Sequence, residues 1–342
     1  MQRPWQGKHG PLLIAEIGGN HEGDFDYALR LTELAIAADV DYIKFQMYSG
    51  DSLVSRMEGA QRNQHFKKFE LTREKYIQLA EMCQEANVGF MASVWNPEYI
   101  HWIDPYMPIY KIGSGDMTAY PVIREIAKTG KPMIISTGLS NLQEVLETVE
   151  FLQALDARYQ DPDMLALLQC TSMYPISFKD ANLSVMNLLR QATGLSVGYS
   201  DHTEGSLALE VAVAMGAQIL EFHFTDSREG KTFRDHKVSL TKDEVIDLGR
   251  KINQIQSLQG NPLKRPLEVE AEHRNSFRRA VYPAADLPAG TLLQAKDLVT
   301  LRPNHGIDAR EFDQLIGKKL ETDVTMHQKL DWNLLSDEQS KP

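Results

Sequence analysis

Two lysines, two glutamates and two histidines recur near the ends of short apolar runs in this chain. Glu16 lies in Leu12–Gly18, Lys44 and Gln46 in Tyr42–Met47, Lys111 and Ser114 in Ile109–Ser114, and Glu221 and His223 in Ile219–Phe224. His202 lies two residues past the end of Leu195–Ser200. A buried ammonium is costly unless it is paired, so lysines on apolar strands point to a bound anion. Hydroxyls and glycine turns, in Gly113-Ser-Gly115, Ser136-Thr-Gly138 and at Ser200, would add donors suited to phosphate or carboxylate. Imidazole is the commonest protein ligand of divalent transition metals, with hydrogen-bonded core histidines as the structural alternative for His202 and His223. Side chains alternate along a strand, so Glu221 shares a face with His223. A metal-activated water and a carboxylate base would then meet at one place.

The elements that must position these groups follow from periodicity. The apolar, often β-branched runs are Leu12–Gly18, Tyr42–Met47, Gly89–Val94, Ile109–Ser114, Met133–Thr137, Leu165–Cys170, Leu195–Ser200 and Ile219–Phe224. Each is separated from the next by a stretch long enough for a crossover helix, a βα repeat. Eight such units close a (β/α)8 TIM barrel of the α/β class, and no Gly-x-Gly-x-x-Gly follows the first run to favour an open sheet. Leu29, Leu31, Leu34, Ala35 and Ala38 mark the apolar stripe of one helix, while Ser140 with Gln143 and Thr241 with Glu244 are expected to act as capping boxes. Past the last helix the composition turns polar, with prolines and a charged patch. The expected division is a catalytic barrel over 1–258, a linker over 259–275 and a small domain over 276–342, too small for a large core of its own.

With 342 residues, 42% apolar and 24% charged, the chain has a globular composition, and its net charge of −11 argues against nucleic acid or an anionic membrane as general partners. An anionic substrate must be held by a local basic pocket. The first ten residues lack a signal-type apolar core, and no run reaches the ~18 apolar residues of a membrane span. Cys83 and Cys170 are the only cysteines and are far apart, so neither a disulfide framework nor a cysteine zinc site is expected, and the location expected is cytoplasmic.

The strings Ile14-Ala-Glu-Ile-Gly-Gly-Asn-His21, Ile43-Lys-Phe-Gln46, Phe66-Lys-Lys-Phe-Glu-Leu71, Tyr110-Lys-Ile-Gly-Ser-Gly115, Cys170-Thr-Ser-Met-Tyr-Pro175, Gly198-Tyr-Ser-Asp-His-Thr203 and His223-Phe-Thr225, in this order and spacing, resemble the N-acetylneuraminate (sialic acid) synthase family, which includes legionaminic and pseudaminic acid synthases. The tail, with Arg278-Arg279, Leu301-Arg-Pro-Asn-His-Gly-Ile307 and Ile316-Gly-Lys-Lys319, resembles that family's antifreeze-like (SAF, β-clip) domain. The resemblance implies condensation of phosphoenolpyruvate with an N-acyl amino-hexose, with release of phosphate. It implies that Lys44, Lys111, Ser114, Ser136, Ser172 and Ser200 hold phosphoenolpyruvate. His202 and His223 would bind a divalent metal, Mn2+ before Mg2+ or Co2+. Glu16, Gln46, Tyr174 and Asp235 would meet the open-chain sugar, with Glu16, Glu221 and Asp235 as the catalytic carboxylates and Glu221 as the base that activates water. Arg302 would reach the sugar from the partner subunit of a domain-swapped homodimer.

Four departures from the family strings bear on the acceptor. Ser172 stands where members using N-acetylmannosamine typically carry Asn, which predicts that Ser172→Asn turns preference toward that sugar. Phe222 replaces a basic residue, Phe233-Arg-Asp-His236 replaces Gly-Pro-Asp-His, and Ser93-Val-Trp-Asn96 replaces Ser-Thr-Pro-Phe-Asp. N-acetylmannosamine and a 2,4-diacetamido deoxyhexose both remain open as acceptors. A metal-dependent aldolase or epimerase on the same barrel is the alternative chemistry; it would need no second anion-binding lysine.

Overall fold

A computed structural model describes residues 4–337; residues 1–3 and 338–342, at the two ends of the expected domains, lie outside the described residues. Eight strands form the first unit: β1 (Gly10–Gly18), β2 (Tyr42–Met47), β3 (Gly89–Val94), β4 (Tyr110–Ile112), β5 (Met133–Ser136), β6 (Leu165–Cys170), β7 (Ser196–Asp201) and β8 (Ile219–His223). They pair in parallel in chain order, and β8 returns to β1, so the sheet is closed. Every expected run is a strand, with ends that differ by a residue or two.

The barrel has two packing layers for a reason visible in each strand. Outward side chains such as Leu13, Ile43, Phe45, Ile135 and Leu220 pack with the helices in one large core. Inward side chains near the strand starts, Leu12, Ile14, Met91, Ile134, Leu168 and Ile219, fill the barrel with a second apolar cluster. Trp5 closes that cluster from below, brought there by a short hairpin in which Gln6–Gly7 pairs with Gly10 and Pro11, and its indole N–H donates to the Pro162 carbonyl at 2.6 Å. Farther along the strands the inward positions turn polar, which places charge only at the C-terminal rim.

Helix α1 (Phe25–Ile36) buries Ala28, Leu31, Thr32 and Ala35, so the buried face shares Leu31 and Ala35 with the expected stripe, while Leu29 and Leu34 lie half-buried at its edges. Helices α2 (Ala60–Lys68) and α3 (Arg73–Glu85) both lie between β2 and β3. One expected cap is corrected: the helix Leu142–Leu155 is opened by Asn141 and Glu144, not by Ser140 and Gln143. Asn is as good an N-cap as Ser and its partner three residues on is a full carboxylate, so the box sits one residue later. The second box holds, with Glu244 accepting the Thr241 backbone N–H at 2.8 Å.

Chain contacts divide the molecule into Met1–Gly260 and Asn261–Pro342. Within the second unit a short helix, Ala271–Phe277, occupies part of the stretch expected to be linker. Two antiparallel strands follow, β9 (Ala280–Pro283) and β10 (Leu298–Leu301). Val281, Leu293, Leu298, Ile307, Leu315, Leu320, Val324 and Leu330 make a compact core there. Among the described residues, no helix is long and apolar enough to cross a membrane.

Candidate active site

A cavity of about 730 Å³ opens at the C-terminal ends of the strands, and it gathers every barrel residue singled out from the sequence: Glu16, Lys44, Gln46, Lys111, Ser114, Ser136, Ser172, Tyr174, Ser200, His202, Glu221, His223 and Asp235. Register explains the gathering. Glu16 pairs across with Lys44 on one side and with His223 on the other, while Glu221 pairs with Ser200.

At the floor two ammoniums face two carboxylates. Lys44 Nζ is 2.7 Å from Glu16 Oε2 and 4.0 Å from Glu221 Oε1, and Lys111 Nζ is 3.5 Å from Glu221 Oε2. Lys111 also donates to Ser136 Oγ at 2.7 Å and to the Ile112 carbonyl at 3.1 Å. Gln46 donates to Glu16 at 2.7 Å, and Ser200 donates to Glu221 at 3.1 Å. Both lysines therefore have protein partners, which corrects the inference that a bound anion is needed to account for their burial. Burial alone would lower the affinity of Lys44 for its proton, but Glu16 and Glu221 outweigh it and hold Lys44 above its ordinary range. Burial would likewise raise Glu221, but Lys111 and Lys44 hold it below the usual carboxylate range, so it is ionised at neutral pH.

Beside this floor is a hydroxyl cluster. Ser114 Oγ accepts the Gly138 N–H at 3.0 Å. A side-chain Cβ at Gly138 would come within 2.4 Å of Ser172 Oγ and 2.8 Å of Ser114 Oγ, so only glycine lets these groups converge. This places Ser172 beside Ser114 at Gly138.

Across the cavity, the rings of His202 and His223 are 5.2 Å apart. A carbonyl can only accept, so the 2.7 Å contact of His202 Nδ1 with the Thr171 carbonyl places a proton on Nδ1. Burial would lower the affinity of His202 for a second proton, but Cys170 and the Thr171 carbonyl outweigh it and hold the imidazole above its usual range, so Nε2 offers a lone pair only once that proton has left. His223 Nδ1 is buried with no hydrogen-bond partner, and Asp235 Oδ2 lies 4.0 Å from it. Burial, with the nearby His202 and Lys44, pushes His223 well below its usual range, so it is neutral and keeps a free lone pair. Among the described residues no group of three or more His, Cys, Asp or Glu side chains is arranged to enclose a metal ion. The donors fit an open site of two imidazoles, leaving further positions for substrate or water, rather than a closed cage.

Sequence reasoning missed several groups that line the cavity. Asp116 follows the Gly113-Ser-Gly115 turn, and burial pushes its carboxyl up to about 6 against the opposing effects of Lys111 and Trp95, which makes it able to exchange a proton near neutral pH. Tyr48, Phe66, Phe69, Trp95 and Phe233 form an aromatic side; Trp95 and Phe233 lie in two of the departing strings, but nothing in their spacing brings them together. Arg234 caps Tyr174 at 4.6 Å and pairs with Asp235 at 3.0 Å. Arg302 belongs to the second unit, where its guanidinium lies 5.7 Å from the Phe277 ring centre. Its Arg-Pro-Asn-His-Gly turn is held by Asn304, which bonds the Asn275 carbonyl through its backbone N–H and Asp308 through its side chain at 2.7 Å.

A closed parallel barrel that concentrates paired charges, hydroxyls and imidazoles at its strand ends has the architecture of a (β/α)8 enzyme. The chain belongs to the NeuB family, whose model matches residues 31–264, and a SAF domain matches residues 278–336. The N,N'-diacetyllegionaminic acid synthase of Campylobacter jejuni is 33% identical over 90% of this chain and 95% of that protein. A pseudaminic acid synthase of the same species is 30% identical over 92% of this chain and 93% of its own length. The crystal structure of an N-acetylneuraminic acid synthetase from Leptospira borgpetersenii, solved with citrate, superposes with a TM-score of 0.71 at 29% identity, covering 78% of this chain and 90% of that one. The protein is thus a nonulosonic acid synthase, a transferase-type enzyme, and these relatives offer no support for an aldolase or epimerase.

Proposed function

We propose that the barrel joins C3 of phosphoenolpyruvate to the aldehyde carbon of an open-chain N-acyl amino-hexose, adds water at C2 and releases inorganic phosphate. The observation that carries this is the buried floor of Lys44, Lys111, Ser136 and Ser200, with Ser114 beside it, lying in one cavity with two imidazoles. Lys111 with Ser136, and Ser114 with Ser172, supply donors for the phosphate and carboxylate. Glu221 Oε2 is buried and makes no hydrogen bond, so the ionised carboxylate keeps a lone pair for the proton of the attacking water. Glu16, Gln46, Tyr174 and Asp235 orient the sugar. His202 and His223 would hold a divalent cation, Mn2+ as the first choice, which when bound supplies Lewis acidity toward the sugar carbonyl. The reading places the enzyme in the cytoplasm, in accord with two buried free thiols, Cys83 and Cys170.

The direct test measures phosphate released from phosphoenolpyruvate with a panel of N-acyl hexoses. Release should require both substrates; a phosphate yield independent of any sugar would end the proposal. Within that assay, Ser172→Ala is expected to raise the phosphoenolpyruvate KM by about tenfold, the worth of one charge-assisted hydrogen bond, while leaving the ranking of sugars unchanged. A changed ranking would return Ser172 to the sugar.

The reading also includes a domain-swapped homodimer in which Arg302 completes the sugar pocket of the other chain. Arg302→Ala should lose sugar use and Glu221→Gln should lose the chemistry. Subunit exchange between the two inactive proteins then forms a heterodimer in which one intact barrel receives one intact arginine, and activity should return in that site. Heterodimers that form and stay silent would rule out the shared site.

A further inference from the structure

We infer that His236 is a positioning residue, which with Glu22 and Thr225 fastens the turn Arg234–Val238 to the loops after β1 and β8 and so sets where the Asp235 carboxylate stands; the inference rests on the synthase reading above. Arg234 and Asp235 line the cavity, while the His236 side chain is 1% exposed and is not among the lining groups. Its two nitrogens meet partners from distant parts of the chain. Nδ1 lies 2.7 Å from Thr225 Oγ1, just past β8, and Nε2 lies 3.2 Å from Glu22 Oε1, just past β1. A carboxylate can only accept, so Nε2 carries a proton. Burial lowers the affinity of the ring for a second proton, with Glu22 opposing it, so the ring is neutral and Nδ1 is free to accept the Thr225 hydroxyl.

The same turn is held on its other side. Asn20, fully buried, donates to the Phe224 carbonyl at 2.8 Å and to Ser239 Oγ at 2.9 Å, and Ser239 Oγ donates to the Asp235 carbonyl at 2.7 Å. Asp235 is thus bracketed: its own carbonyl is bound through Ser239, and its neighbour's ring is bound by Glu22 and Thr225. The support is itself fixed. Glu22 adopts a left-handed backbone with φ 52°, uncommon for a residue with a side chain, and its N–H closes the loop on the Gly19 carbonyl at 2.9 Å. The Asp235 carboxylate needs such support, because its close polar partner is Arg234 at 3.0 Å, a side chain 67% exposed, and His223 Nδ1 at 4.0 Å is beyond hydrogen-bond reach. Backbone support therefore decides its position. A displacement of about 1 Å in a group that orients a substrate can lower the rate by on the order of a hundredfold.

The test measures phosphate release with a sugar that the wild-type protein accepts, separating kcat from the phosphoenolpyruvate KM. His236→Leu removes both ring bonds and should lower kcat by about 10- to 100-fold with the phosphoenolpyruvate KM within about twofold, because Lys44, Lys111 and Ser136 do not depend on the turn. His236→Gln, whose amide N–H can replace Nε2–H toward Glu22, should keep most of kcat. The deciding arm repeats His236→Leu in an Asp235→Ala protein, where it should lower the residual rate by no more than about twofold, since a residue acting through Asp235 has nothing left to act on. A full additional loss there, or an unchanged kcat in folded His236→Leu, overturns the inference. A matching rise in the phosphoenolpyruvate KM overturns it too, as the mark of a general loosening of the barrel mouth. Should His236→Leu not fold, Glu22→Ala, at a side chain 38% exposed, carries the same expectations, and wild-type kcat in that protein overturns the inference. A wild-type protein that releases no phosphate with any sugar defeats the synthase reading and takes the inference with it.

Discussion

Lys44→Met is expected to abolish turnover and to destabilise the protein by about 3–5 kcal/mol, the cost of leaving a buried charge without its partner. The Lys44 side chain is 4% exposed and its ammonium stands between Glu16 and Glu221. Without it, two carboxylates share a buried site, and one must take a proton or the strands must part. The pH dependence follows from the sign of the shifts. In the native protein Glu221 lies below its ordinary range, so its contribution is present above the unfolded pKa and is lost as pH falls through the lower folded value. In the variant the unneutralised carboxylates titrate above their unfolded value, so protonation favours the folded state. The deficit should therefore be widest at neutral pH and shrink in acid. Denaturant unfolding at pH 8 and pH 5 measures it, and the double variant Lys44→Met with Glu16→Gln should regain most of the stability but none of the activity. Wild-type stability in Lys44→Met would show that the floor is solvated and that its charges do not depend on one another.

Exhaustive chelation should lower turnover by at least about a hundredfold, and Mn2+ should restore it. The reason is local. His223 carries an unpartnered buried nitrogen, His202 donates from Nδ1 so that a cation would meet Nε2, and Asp235 stands 4.0 Å from His223. Direct titration with Mn2+ supplies a readout apart from activity: His202→Ala and His223→Ala should each lose the bound ion while binding of phosphoenolpyruvate persists. Full turnover after removal of metal would leave the two histidines as hydrogen-bonding residues and require the floor to act alone.

The reading of the strands succeeded where the signal is local. Alternation and β-branched runs mark all eight strands, because each must present one face to the helices and the other to the barrel interior. The cap at Asn141 was misplaced by one residue because two capping patterns overlap there and backbone geometry chooses between them. The hairpin that carries Trp5 was not legible, since its two-residue strand has no periodicity and its purpose is to close a barrel floor assembled from distant strands. In the candidate site, the identity of the polar residues was legible because charge on an apolar strand is costly without a use. Their pairing was not: Lys44 meets Glu221 only after β8 has closed onto β1.

What the sequence by itself determined was the repeat, the family and the chemical types brought to the strand ends, since these depend on residue identity and on a period of two. What only the tertiary structure decided was which of those groups neutralise one another and which stay free. Lys44 and Lys111 became partners of carboxylates, Ser172 came to lie beside Ser114, and His223 was left with an unsatisfied nitrogen. The aromatic side of the cavity belongs to the same class. Tyr48, Phe66, Trp95 and Phe233 are separated in the chain, and a ring's effect on a substrate depends on the surface it shares with other rings, which exists only when barrel closure and the loop after β8 bring them together.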